Sequence, residues 1–368
     1  MSPRWKNAIA LIVSLLFAAV ACEVAARLVL ARPPDPAREP QILYTPDPEA
    51  GYVHVPNQQG WIDEGWVTIN TLGCRGKEPR VPKPVNGFRV LVVGDSVTLG
   101  WGVGDSEAYP AVLEQALQRA KPGGAVDVVN CAVSGYNTPQ QARQIARLAP
   151  VLVPDIVLVG FYWNDLPNLL ARNGHVAALP DRRDPAQADT PFRLGVQPTR
   201  VGSLLRRSRA LYGMKGAFRI VRGLWAEPDS TDIWNQWEAA LLEPTPTPIV
   251  EEAWGQGRDR LIELAAVAAR HRTRVALVLL PSRTQSARPD GSMGFRRRVM
   301  EAGAAAGLPV IDLFPTFTTR RDRLSSLYIQ YDRDHPNAAG HRLIAEALLA
   351  ELQQLRARGY DAPTSRIQ

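Results

Sequence analysis

The sequence predicts an α/β protein, a three-layer α/β/α sandwich around a five-stranded parallel sheet. Three observations predict it. Short, continuously apolar runs recur between residues 88 and 313, the signature of strands buried on both faces. Segments with apolar residues at helical spacing alternate with those runs, which is the order of a parallel sheet covered by helices. The composition, 45% hydrophobic and 21% charged over 368 residues, supplies a sizeable core and excludes a disordered or collagen-like chain.

The chain opens on a different kind of segment. Arg4 and Lys6 precede an apolar run from Ala8 to Cys22, and Glu23, Arg27 and Arg32 follow it. Extended to Ala31, the run is long enough as a helix to cross the roughly 30 Å hydrocarbon core. Glu23 and Arg27 then stand four apart on one face, where they can pair. The expectation for residues 1–32 is a transmembrane anchor. Two processed forms are the alternatives: Ala19-Val20-Ala21 fits a signal-peptidase site, and with Cys22 it makes a lipobox lacking Leu at its first position. Residues 33–87 read as a stalk, through Pro33, Pro34, Pro36 and Pro40, followed by a small β appendage of alternating aromatic and polar residues from Gly51 to Gly76.

The main domain is expected over 88–358, with a tail at 359–368. Strands are expected at Phe88–Val93, Val126–Val129, Asp155–Gly160, Val275–Leu280 and Val310–Leu313. Val112, Leu113, Ala116, Leu117 and Ala120 mark a helix over Ser106–Ala120. Thr138-Pro139-Gln140-Gln141 reads as a capping box that opens a helix running to about Leu148. Leu261, Leu264, Ala265 and Ala268 mark a long helix before the fourth strand. Pro336 is expected as the first residue of a final helix that carries Ile344, Leu348, Leu352 and Leu355. A mostly helical insertion occupies about 166–250, with an amphipathic stretch from Leu204 to Trp225.

The charge is local. The net charge is +7, from 43 Lys and Arg against 36 Asp and Glu. Arg200, Arg206, Arg207, Arg209, Lys215, Arg219 and Arg222 equal that excess, and no acidic residue lies among them. A nucleic-acid partner therefore loses its support. The segment is either a solvated helical face or a lid that meets anionic head groups or an acidic polymer. Trp225, Trp234 and Trp237 either line a sugar-binding wall or pack that lid.

Ligands of parallel sheets sit at the carboxyl ends of the strands, so the candidates for chemistry are found there. Ser96 follows the first strand; taken singly it is a helix N-cap, but a hydroxyl at this place becomes a nucleophile if a base reaches it. His335 lies just before the final helix, and Asp332, three residues earlier, can accept its Nδ1 proton and fix the tautomer. Asp334 is the rival for that role. A backbone N–H at Gly135 and the Asn164 amide could stabilise an oxyanion, though singly they read as a turn glycine and a strand-end cap. His341 reads as structural. His54, His175 and His271 lack metal-ligand spacing, and no glycine loop fits a nucleotide, so neither metal nor organic cofactor is expected.

Taken together, Gly94-Asp95-Ser96, the Asn130-to-Gly135 segment, Asn164-Asp165 and the Asp332-to-His335 box resemble the SGNH/GDSL hydrolase superfamily over roughly residues 88–355. The resemblance implies a flavodoxin-like fold, with Ser96 as nucleophile, His335 as base and Asp332 as its orienter. It also implies an oxyanion hole formed by the Ser96 N–H, the Gly135 N–H and the Asn164 side chain. The stretch from Val67 to Gly76 looks like a segment of membrane-anchored bacterial members. Two departures stand out. Gly160 and Asn164 are separated by three residues where many members have one, and Cys74 and Cys131 replace small or apolar residues. The two cysteines read as inert packing, with a bridge as the alternative in an oxidising compartment.

The expected function is that of a serine acyl-ester hydrolase of the bacterial cell envelope, single-pass in the inner membrane with its catalytic domain outside the cytoplasm. Its substrate would be an acyl ester, on a polysaccharide or a lipid. The first alternative is an O-acetyltransferase that passes the acyl group to a polysaccharide hydroxyl. The second is a non-catalytic envelope protein that binds glycan. Nothing in the sequence sets the acyl group or the oligomeric state.

Overall fold

In the computed structural model, the described residues are 3–30, 35, 39–120, 124–170, 191–193, 208–214, 217, 233–330, 332 and 334–357. They fall into two compact units: 1–40 with 196–227, and 41–195 with 228–368.

The first unit is built on one long helix, α1 (Pro3–Val29). Its segment Ile9–Val29 has a mean hydropathy of 2.5 and none of it is buried within the protein. The Arg27 Nε donates to Glu23 Oε1 at 2.8 Å, as their spacing predicts. Glu23 has further partners that the sequence did not suggest. Its carboxylate accepts from Ser208 Oγ and from the backbone N–H groups of Arg209 and Ala210, at 2.7, 3.2 and 3.1 Å. It thereby caps the helical turn at 209–214. Arg209 in turn donates to the Leu30 carbonyl at 3.0 Å. Of the seven basic residues between Arg200 and Arg222, only Arg209 lies among the described residues, and Trp225 also lies outside them.

The second unit holds the sheet. Its strands are β5 (Phe88–Val93), β6 (Val126–Asn130), β7 (Ile156–Phe161), β8 (Arg274–Leu279) and β9 (Val310–Asp312). Their spatial order is β6-β5-β7-β8-β9, and every pairing is parallel. The chain first steps from β5 to one side and then returns to the other, which opens a crevice at the carboxyl ends around β5. Helices 109–120 and 338–357 pack together as one outer layer, and helix 138–152 packs on 248–270 in the other. β5, β6 and β7 are buried along their whole length, which is why they read as unbroken apolar runs.

One buried residue in β5 is charged. Arg89 is wholly enclosed and donates to Asp127 Oδ2 at 2.8 Å and to the Leu152 carbonyl at 2.7 Å.

Three local expectations shift, each for a visible reason. The helix expected from Ser106 begins at Tyr109, because the Glu107 carboxylate accepts the Gly104 N–H at 2.8 Å and holds the preceding residues in a turn. The capping box is one residue earlier than expected: Asn137, not Thr138, caps α4 (Thr138–Leu152) by accepting the Gln140 N–H. The final helix begins at Ala338, with the Asn337 side chain accepting from the N–H groups of Ala339 and Gly340. Pro336 stays outside it and bridges to Tyr328.

Ahead of the sheet, two antiparallel hairpins form the β appendage: β1 (Tyr44–Asp47) with β2 (Gly51–His54), and β3 (Gln58–Ile62) with β4 (Gly65–Ile69). Tyr44, Tyr52, Ile62, Val67 and Ile69 build a second small core that includes Leu99, Ala132, Val133 and Tyr136 from the strand-end loops. The reading of Cys74 and Cys131 as unlinked packing is corrected. They form a disulfide, because the Arg75 N–H donates to the Asn130 carbonyl at 2.7 Å and draws the two Cα atoms to 4.3 Å.

Candidate active site

Ser96 begins α2 (Ser96–Leu99) immediately beyond β5. The capping duty that Ser96 could have performed belongs to Asp95, whose carboxylate accepts the Val97 N–H at 3.0 Å. The Ser96 hydroxyl is left for another partner, and His335 Nε2 stands 2.9 Å from it. On the other side of the ring, Nδ1 lies 2.7 Å from Asp332 Oδ2. The second oxygen of Asp332 accepts the N–H groups of Asp334 and His335, at 2.8 and 3.1 Å. One carboxylate therefore folds the loop and orients the imidazole together.

The short helix α2 packs closely on the strand ends beside it. The Thr98 side chain fills the space above Gly94 and Gly160, where any side chain would collide with it. Gly135 follows β6 with φ +78°, a left-handed conformation suited to glycine. Asn164 follows β7 and is half-buried. Ser96, Gly135 and Asn164 thus stand beyond the carboxyl ends of three adjacent strands. Asn130 links two of these ends, donating from Nδ2 to the Thr98 and Leu99 carbonyls, each at 3.2 Å.

Burial and charge act on this site in opposite senses. Burial alone would lower the His335 pKa, but the Asp332 carboxylate, with Asp334 and Asp95 behind it, outweighs burial and raises it to about 9. Burial likewise opposes the Asp332 charge, yet the His335 imidazolium and the loop N–H donors hold its pKa below the usual carboxylate range. Asp95, wholly enclosed, is raised by burial to about 6. Asp165 is pushed well above the ordinary value, also by burial, with Asp95 adding repulsion.

The family profile described as GDSL-like lipase/acylhydrolase matches residues 92–343, more than half of the chain. The chain belongs to the GDSL-like lipase/acylhydrolase family. An arylesterase from Vibrio mimicus is 31% identical over 77 residues, spanning 21% of this chain and 38% of that relative. Among solved structures, an α/β hydrolase from the metagenome of Lake Arreo, Spain, aligns with a TM-score of 0.43 at 18% identity, over 74% of this chain and 98% of that one. An acetylxylan esterase from Geobacillus stearothermophilus aligns with a TM-score of 0.40 at 16% identity, over 73% of this chain and 95% of that one.

In this GDSL-like chain the two departures have structural uses. The extra residues before Asn164 include Tyr162 and Trp163, whose Oη and Nε1 donate to Asp334 Oδ1 at 2.9 and 3.3 Å. Asp334 is thereby taken up by β7's turn and does not compete with Asp332 for His335. Trp101 was not singled out by the sequence; its ring stacks on His335 with centroids 5.8 Å apart. An aromatic residue five positions after the serine was the available signal. Trp234 and Trp237 are half-buried against the core, and Trp234 meets Trp163 edge to face at 6.1 Å, a packing role. His341 is buried and accepts the Tyr109 N–H at 3.3 Å. His54 is buried beside the Gly73 carbonyl, and burial lowers its pKa to about 4.

Proposed function

We propose that this protein is a serine acyl-ester hydrolase of the bacterial cell envelope. The observation that carries the proposal is the unbroken line from Asp332 Oδ2 through His335 to Ser96 Oγ, with links of 2.7 and 2.9 Å. In this reading neutral His335 takes the Ser96 proton through Nε2 as Oγ attacks the ester carbonyl, and Asp332 holds the Nδ1 proton and the growing positive charge. The oxyanion of the tetrahedral intermediate is met by the Ser96 and Gly135 N–H groups and the Asn164 amide. His335 returns the proton to the leaving alcohol, then activates a water that releases the acyl group from Ser96.

Two features support this location. The apolar helix α1 supports a retained single-pass anchor. The Cys74–Cys131 bridge supports an oxidising compartment outside the cytoplasm.

The test is labelling with a fluorophosphonate probe, with Ser96→Ala as the control. Labelling of the wild type alone is expected. Absence of labelling from folded wild-type protein would refute the hydrolase reading. Acetate release is then followed with and without oligosaccharide acceptors; acetate recovered on sugar in place of solution would make the enzyme a transferase.

A further inference from the structure

The β appendage reaches the candidate oxyanion hole through one side chain. The Tyr52 hydroxyl, at 0% exposure on β2, donates to the Ser134 carbonyl at 2.7 Å across 82 residues of sequence. That carbonyl belongs to the same peptide group as the Gly135 N–H. In a planar trans peptide the C=O and N–H point in opposite directions, so a bond that fixes one aims the other. Glycine makes this important. With φ +78° at a residue that has no Cβ, the Ser134–Gly135 plane has little steric resistance to rotation.

Tyr52 holds the other side of Gly135 as well. The Tyr136 hydroxyl donates back to the Tyr52 carbonyl, and the two rings meet edge to face with centroids 5.5 Å apart. The residues before and after Gly135 are therefore both clasped by one residue of the appendage. No hydrogen bond from the Gly135 N–H is present among the described residues. The Cys74–Cys131 bridge fastens the same loop to the appendage four residues upstream.

We infer that Tyr52 is a positioning residue for the esterase reaction, a lock on the Ser134–Gly135 peptide plane that keeps the Gly135 N–H turned toward the developing oxyanion. This rests on the hydrolase reading above. Burial holds the phenol protonated well above its ordinary range, so Tyr52 stays a donor throughout the working pH. The appendage is thereby part of the catalytic apparatus.

The experiment is Tyr52→Phe, which keeps the ring and removes the donor. With p-nitrophenyl acetate, kcat is expected to fall about 10- to 100-fold, short of the roughly 10²- to 10³-fold loss for deleting an oxyanion donor outright. KM and the pH at which the acid limb turns should stay as in the wild type, because His335 and Asp332 are untouched. Fluorophosphonate inactivation should slow in proportion to kcat. A kcat within twofold of wild type, or a loss tracked by KM or by unfolding at the assay temperature, would overturn the inference. A crystal structure of the wild type carrying the phosphonate on Ser96 gives a check independent of the variant. Ser134 still bonded to Tyr52, with the phosphonyl oxygen against the Gly135 N–H, is expected; a peptide rotated off Tyr52 overturns the lock. A wild type that neither hydrolyses nor labels overturns the hydrolase reading itself, and an active wild type with an unaffected Tyr52→Phe overturns only the lock.

Discussion

Replacing Asp332 by Asn should move the pH dependence of the enzyme by more than any other single change at the site. In the wild type the His335 pKa rises from 6.5 to about 9 although burial pulls it down. That rise corresponds to about 3 kcal/mol in favour of the imidazolium. Its largest upward cause is the Asp332 carboxylate, 2.7 Å from Nδ1. In the proposed mechanism His335 acts as a base only when neutral, so wild-type kcat/KM should climb through neutral pH, reach half its plateau near pH 9 and level off above it. In D332N the Asp332 contribution is gone while burial still pulls down against the smaller upward pull of Asp334 and Asp95, so the acid limb should fall well below 9. The plateau should also drop by about 10²- to 10⁴-fold, since the neutral amide no longer secures the reactive tautomer or the imidazolium. The assay is p-nitrophenyl acetate hydrolysis from pH 5 to 10, followed at a wavelength insensitive to p-nitrophenol ionisation. An acid limb that stays near 9 in D332N would show that Asp334 or Asp95 sets the His335 charge, and the reasoning would fail.

Three further expectations concern stability and placement. Asp127→Ala strands the enclosed Arg89 guanidinium and should cost about 3–5 kcal/mol in urea unfolding, whereas Asp259→Ala, from an exposed pair, should cost less than about 1 kcal/mol. Gly160→Ala sets a methyl group against Thr98, whose Cβ is 3.2 Å away, and should lower stability by about 1–3 kcal/mol in thermal unfolding. Cys74→Ser with Cys131→Ser opens a closure spanning 57 residues, worth about 4 kcal/mol by chain entropy, and the melting temperature of wild type and double variant with and without reductant measures it.

The strands were legible because a sheet covered on both faces needs uninterrupted apolar runs; Phe88–Val93 was found to the residue and the other four differ by one residue at one or both ends. Ser96 stood out because it directly follows the apolar run Phe88–Val93, and Asp332 and His335 because they stand three apart shortly before the last helix. The bonds that hold them in place were less so. Tyr52 and Ser134 are 82 residues apart, and Tyr162 and Asp334 are 172 apart, separations over which local periodicity carries no information. The α4 cap was misplaced by one residue because Asn137 and Thr138 are both good capping residues, and only the Gln140 N–H decides between them. The disulfide required knowing that the loop after β4 lies against the end of β6, which no local pattern encodes.

The strand order has a temporal consequence. Ser96 stands beyond the first strand of the sheet and His335 beyond its last, with 239 positions of chain between them. Synthesis runs from the amino end, so the serine is made long before the imidazole that would ionise it. In the proposed mechanism, a ribosome that stalls between residues 96 and 335 leaves a polypeptide with the nucleophile but no base. By that mechanism, hydrolysis therefore waits for the last part of the chain to be made.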